Sequence, residues 1–171
     1  MGKHLKPEHE NAPFLIFLDF DGVVFDYDKG CKEAGEKFVK SPWMAKNEPG
    51  FFLTLEPLGD AIAWIHRLEK EFPNQVRFLT SATYSRPEAW SEKVVSYKIW
   101  FPRMHKRLII TSDKGACGGP DDILVDDHPE WNGADRFRGT VVHFKGQETW
   151  EIVYNLCVAK KNYMETFDVK S

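Results

Sequence analysis

Phe14-Leu15-Ile16-Phe17-Leu18-Asp19-Phe20-Asp21-Gly22-Val23-Val24 is the stretch on which the fold turns. Its apolar run is continuous, which suits a strand covered on both faces, as in the middle of a parallel sheet. The run ends in two carboxylates spaced by two and then a glycine. Residues two apart on an extended chain point the same way, so Asp19 and Asp21 converge at the carboxyl end of the strand. Open α/β sheets bind their ligands at that end. An isolated Asp-x-Asp-Gly is equally a strand stopping at a polar turn, so the rest of the chain has to decide.

Working outward, the same pattern recurs. Residues 14–20 form the first expected strand, and Val76–Leu79 the second, ending at Thr80-Ser81. Leu108–Thr111 is the third. It leads into a glycine-rich loop carrying Lys114. Ile123–Val125 is the fourth and ends at Asp126-Asp127, and Thr140–Phe144 the fifth. Helices are expected between them. Lys29–Lys40 is helix-compatible, with Ala34, Phe38 and Val39 as its buried positions. After Pro57 a stripe of Leu58, Ile62, Ile65 and Leu68 recurs at spacings of three and four. Pro87 opens a helix that runs to Trp100, and Gln147 to about Tyr163 closes the chain. Alternating strands and helices imply right-handed crossovers and a doubly wound parallel sheet of about five strands, with helices on both faces.

Composition bounds the partners. The 171 residues are expected to form a single domain, 1–171, with a small insertion at about 26–55 after the first strand. A chain 42% hydrophobic and 14% aromatic builds a packed core. A formal net charge of −3 gives no reason to expect a nucleic-acid polymer as partner. No apolar run approaches a bilayer span, and the polar lead-in before Pro13 is no signal peptide, so no membrane association is expected. Three scattered cysteines read as reduced thiols of a cytoplasmic protein.

If the first and fourth strands are neighbours, Asp19, Asp21, Asp126 and Asp127 crowd one small volume. Two like charges 4 Å apart repel by about 4 kcal/mol at an effective dielectric of 20, so such a cluster calls for protons or a cation. Oxygen ligands without supporting His or Cys suit a hard ion, and Mg²⁺ commonly binds through one or two carboxylates plus a substrate phosphate. His128, beside the pair, reads as a loop residue. A cation, a free carboxylate and a lysine are what phosphoryl transfer to an aspartate requires. Thr80 would hold a phosphoryl oxygen, Lys114 would neutralise charge, and Asp21 would protonate the leaving alkoxide and later activate water.

Taken in order, these segments resemble the haloacid dehalogenase superfamily. Asp19-Phe20-Asp21-Gly22-Val23 matches its first motif, Leu79-Thr80-Ser81 the second, Lys114 in Ser112-Asp113-Lys114-Gly115 the third, and Ile123-Leu124-Val125-Asp126-Asp127 the acidic fourth. The resemblance implies a Rossmann-like fold, with Asp19 as nucleophile and Asp21 as acid/base. It also implies phosphate binding at Thr80, Ser81 and Lys114. The metal would be held by Asp19, the Asp21 carbonyl and Asp127, with Asp126 in support. Dehalogenating members lack the second aspartate, so Asp21 favours a phosphatase.

A narrower resemblance, to 5'(3')-deoxyribonucleotidases, rests on Pro49-Gly50-Phe51-Phe52, Leu55 to Ala61, Ile109 to Lys114 and Ile123 to Asp127. It implies a small phosphate ester, a nucleotide, as substrate, with base contacts carried onto Phe51, Phe52 and Trp43. Phe51 and Phe52 serve equally as core residues anchoring the insertion. A homodimer is among the expected assemblies. The insertion from Gly22 to Leu55 is shorter than the helical cap of typical relatives, which leaves room for larger substrates. Other phosphate esters, including polynucleotide ends, remain the alternative, as does an inactive binding module on the same fold. Val23, where phosphoprotein phosphatases often carry threonine, weakens a phosphoprotein substrate.

Overall fold

The computed structural model describes residues 12–168; the expected polar lead-in lies almost wholly outside that range. In chain order the elements are β1 (Ile16–Leu18), α1 (Tyr27–Ala34), α2 (Glu36–Lys40), a 3-10 turn at Pro42–Asn47, α3 (Phe51–Thr54), α4 (Ala61–Glu71), β2 (Val76–Thr80), α5 (Glu88–Trp100) and β3 (Leu108–Ile110). A 3-10 turn at Lys114–Ala116, β4 (Ile123–Asp126), a further turn at Ala134–Arg136, β5 (Thr140–His143) and α6 (Thr149–Asp168) complete the chain.

The five strands form one sheet in the order β3-β2-β1-β4-β5, and every pairing is parallel. The continuous apolar run at Phe14–Leu18 thus lies in the central strand, as its lack of alternation requires. Leu18 pairs with Phe78 on one side and Val125 on the other, so β1, β2 and β4 end together. This α/β architecture is the parallel sheet that the strand pattern predicts and the Rossmann-like fold that the family resemblance implies.

The two faces are covered unequally. Ile16, Leu18, Phe78 and Val125 point into the larger core, shared with Ile65 of α4, Tyr97 of α5 and Trp150 of α6. Phe17, Leu79 and Leu124 point the other way, into a smaller core closed by Ala134 and Phe137. Right-handed crossovers explain the split. The steps β1→β2→β3 run toward one edge and carry α4 and α5, whereas the steps toward β4 and β5 run oppositely and contain only short 3-10 turns.

Three local expectations need correction. The helix expected over Lys29–Lys40 is broken in two by Gly35, whose φ of 130° lies where other residues are strained. The break turns Ala34 and Val39 to the surface and leaves Phe38 buried. The strand expected over 14–20 pairs only over Ile16–Leu18. The closing helix extends past Tyr163 to Asp168. The stripe packs as its spacing predicts, with Ile65 and Leu68 fully buried and Ile62 against the same core, although α4 starts only at Ala61 and Leu58 joins that core from the turn before it.

Candidate active site

The carboxyl ends of the three central strands deliver the site, acids from β1 and β4 and a threonine from β2. Asp19 directly follows β1, Thr80 ends β2, and Asp126 ends β4 with Asp127 next. Lys114 comes from the loop between β3 and β4. Its backbone N–H donates to Asn132 O at 2.7 Å, and Asp113 caps the turn by accepting from Gly115 N. These bonds send the Lys114 side chain inward, where it is 1% exposed. Its Nζ lies 2.9 Å from Asp19 Oδ2 and 2.6 Å from Asp126 Oδ2. Burial opposes the ammonium charge, but the two carboxylates outweigh it and push Lys114 up to about 12.

Asp19, Asp126 and Asp127 each offer a carboxylate oxygen, and these oxygens lie within 4.8 Å of one another. Burial, and then the nearby Asp19 charge, push Asp127 up to about 7. Asp126 is committed on both oxygens, to Lys114 Nζ and to the backbone N–H of His128. Asp21 stands apart from this trio. Its Oδ2 accepts from Lys93 Nζ at 2.6 Å, while its Oδ1 is buried without a hydrogen-bond partner. Burial raises Asp21 above the usual carboxylate range, against the opposing effect of Lys93.

The donor set fits a hard divalent cation. It is all oxygen, and it is under-compensated: Asp19, Asp21, Asp126 and Asp127 face two ammonium groups, Lys93 and Lys114. Gly22 makes the close approach possible. It has φ +77°, and a Cβ there would sit 2.0 Å from Asp127 Oδ2. Gly22→Ala is therefore expected to displace the Asp127 carboxylate and cut activity about 10- to 100-fold. The left-handed backbone adds roughly 1–2 kcal/mol of destabilisation, so parallel activity and thermal-unfolding measurements check both effects.

Lys93 is the residue that sequence reasoning missed. Besides Asp21, it donates to the Thr80 hydroxyl at 2.8 Å and lies 4.6 Å from the centre of the Phe52 ring. Thr80 is fully buried, and Ser81 rather than Thr80 lines the open cavity beside it. A signal for Lys93 was present. Ala89, Glu92, Lys93, Ser96 and Tyr97 recur at helical spacing as the buried stripe of α5, and charged residues on a buried stripe need partners. Glu92 finds them in Arg86, through a two-bond fork at 2.5 and 2.8 Å, and in the N–H groups of Gly50 and Phe52. Hydrogen bonds from these donors hold Glu92 below the usual range despite the opposing effect of burial.

The acidic floor opens into a cavity of about 570 Å³. Tyr27, Trp43, Lys46 and Phe52 of the insertion line one part of it, and Ser81, Ala82 and Thr83 another. The aromatics carried forward for base contact divide. Trp43 is 64% exposed at the cavity and Phe52 lines it. The Phe51 ring is buried against Tyr27 and Phe52 and is not on that wall.

A parallel sheet with acidic groups at its central strand ends and a lysine bridging two of them is consistent with a hydrolase of the haloacid dehalogenase superfamily. Within it, residues 33–163 match the family described as 5' nucleotidase, deoxy (pyrimidine), cytosolic type C protein. The chain belongs to that family, and it is an enzyme hydrolysing phosphomonoesters. The matched span holds Thr80, Lys93, Lys114, Asp126 and Asp127; Asp19 and Asp21 precede it and join it through β1. No curated protein matches the chain. Nucleotidases of this superfamily are generally metal-dependent. Among the described residues no helix is long and apolar enough to cross a membrane.

Proposed function

We propose that this enzyme is a Mg²⁺-dependent phosphatase of nucleoside monophosphates, deoxyribonucleotides foremost, working through an aspartyl-phosphate on Asp19. The observation that carries the reading is Asp19 Oδ2 at 2.9 Å from a buried lysine, in a carboxylate cluster at the floor of an aromatic-lined cavity. The Asp19 carboxylate attacks phosphorus and the bond from phosphorus to the leaving oxygen breaks. Asp21 supplies the proton that releases the nucleoside. Asp21 then takes a proton from water, whose oxygen attacks phosphorus, and the bond to Asp19 breaks to free inorganic phosphate.

The remaining residues divide the supporting work. Lys114 compensates negative charge on Asp19 before attack and on the phosphoryl oxygens during it. Ser81, on the cavity wall, donates to a phosphoryl oxygen. Thr80 acts by holding Lys93, and Lys93 fixes the Asp21 carboxylate so that Oδ1 remains free to carry the proton. Asp19 and Asp127, with the Asp21 carbonyl and with Asp126 in support, would hold Mg²⁺, which supplies charge neutralisation and in-line orientation of the phosphate. Phe52 and Trp43 offer flat apolar surface to a base.

A panel of phosphomonoesters assayed with Mg²⁺ and with chelator tests this. Nucleoside monophosphates are expected to be the best substrates, and chelation to abolish turnover. Release of phosphate from no panel member, or undiminished release in chelator, would overturn the reading. A pH dependence follows from Asp127, which binds the cation only when ionised. Because burial and Asp19 raise it to about 7, protons compete with the ion below that pH. Apparent Mg²⁺ affinity should fall as pH drops from 8 to 6, by up to about tenfold per unit below neutrality, as read by calorimetric titration at each pH.

A further inference from the structure

The cavity has an aromatic wall that neither the insertion nor the motifs supply. Trp131, in the loop after β4, lines the cavity together with Asp127 and is 55% exposed. Its ring stacks on His128, with centroids 3.8 Å apart and planes within 14°. The pair sits on a loop whose backbone is tied to the reaction centre. His128 N donates to Asp126 Oδ1 at 2.9 Å, Trp131 N to His128 O at 2.9 Å, and Asn132 O accepts from Lys114 N at 2.7 Å. The indole is therefore held in position relative to the carboxylates while leaving much of its surface open.

We infer that Trp131 is a specificity-determining residue that packs against the flat ring of the substrate's leaving group, in the same cavity that Trp43 and Phe52 line. This rests on the nucleotide reading above and extends it: the base is contacted by aromatic residues from the β4 loop as well as from the insertion. The chemistry favours a ring there. A phosphoester anchored at Asp19 and Lys114 projects its remainder into a cavity whose side walls are aromatic, and a base offers two faces to stack. Base–aromatic stacking contributes enough that its loss weakens binding by about fivefold at the low end of the measured range and by about a hundredfold at the high end.

The test compares a deoxynucleoside 5'-monophosphate with deoxyribose 5-phosphate, which keeps the phosphate and sugar but lacks the base. For Trp131→Ala, the ratio of kcat/KM for the nucleotide to that for the pentose phosphate is expected to fall about tenfold, through KM rather than kcat. Trp131→Phe, which keeps a ring, is expected to restore most of the ratio. An unchanged ratio would overturn the inference, whether activity is intact or both substrates decline together as they would if the loop had lost its shape. Wild-type enzyme that hydrolyses pentose phosphate but no nucleotide would instead overturn the nucleotide reading, and this inference with it. The two failures are thus distinguishable.

Discussion

Asp19→Asn is expected to yield a folded protein that has lost turnover by about 10⁵-fold or more. The amide is nearly isosteric with the carboxylate and retains Asp19's place at the end of β1, so the sheet and both cores should survive. It cannot accept a phosphoryl group, however, because the amide oxygen is a poor nucleophile and no alternative carboxylate has the same surroundings. Asp126 is committed to Lys114 and His128 on its two oxygens, and Asp21 is held by Lys93. Hydrolysis of a generic aryl phosphate, with a melting curve alongside, checks the expectation. Near-normal hydrolysis by the purified variant would mean that another group receives the phosphoryl.

Lys114→Ala is expected to damage both activity and stability. Removing a fixed cation from a site of charge transfer typically costs 10²–10³-fold in kcat, and here roughly that loss or more should follow. Stability should also drop by about 3–5 kcal/mol, the usual result of stripping one partner from a buried ion pair. Asp126, 1% exposed, would keep only the His128 amide as donor. Because the ammonium is gone, protonating the buried carboxylates becomes favourable, so the deficit should shrink as pH falls. Denaturant unfolding at two pH values separates this from a simple packing defect, for which the deficit would not change with pH.

The sheet was legible because its central strand is read by every local rule at once: continuous apolar residues, a polar stop, and a glycine where the chain must turn. The neighbouring strands repeat that grammar, and the adjacency of β1 and β4, a supposition at the level of sequence, is what gathers Asp19, Asp126 and Asp127. The insertion was less legible. Residues 29–40 carry charge on every turn, and periodicity alone does not reveal that Gly35 splits them. Lys93 was hidden for a different reason. Its partners, Asp21 and Thr80, lie far away in sequence on separate strands, and only packing of α5 on the sheet brings them together. Phe51 and Phe52 show the same limit at finer scale: adjacent aromatics on one short helix face different surroundings, and composition does not tell them apart.

The fork between Arg86 and Glu92 has a bearing on how molecules come and go. Glu92 also accepts from the amides of Gly50 and Phe52, so α3 is riveted to α5, the helix that carries Lys93. Swinging this part of the roof outward would break the two amide bonds to Glu92, each about 1.5–3 kcal/mol for a charged acceptor, although Arg86 would keep the carboxylate paired. Widening the entrance at this side therefore works against bonds already made, and the alcohol released from the ester is expected to leave past a frame that resists opening.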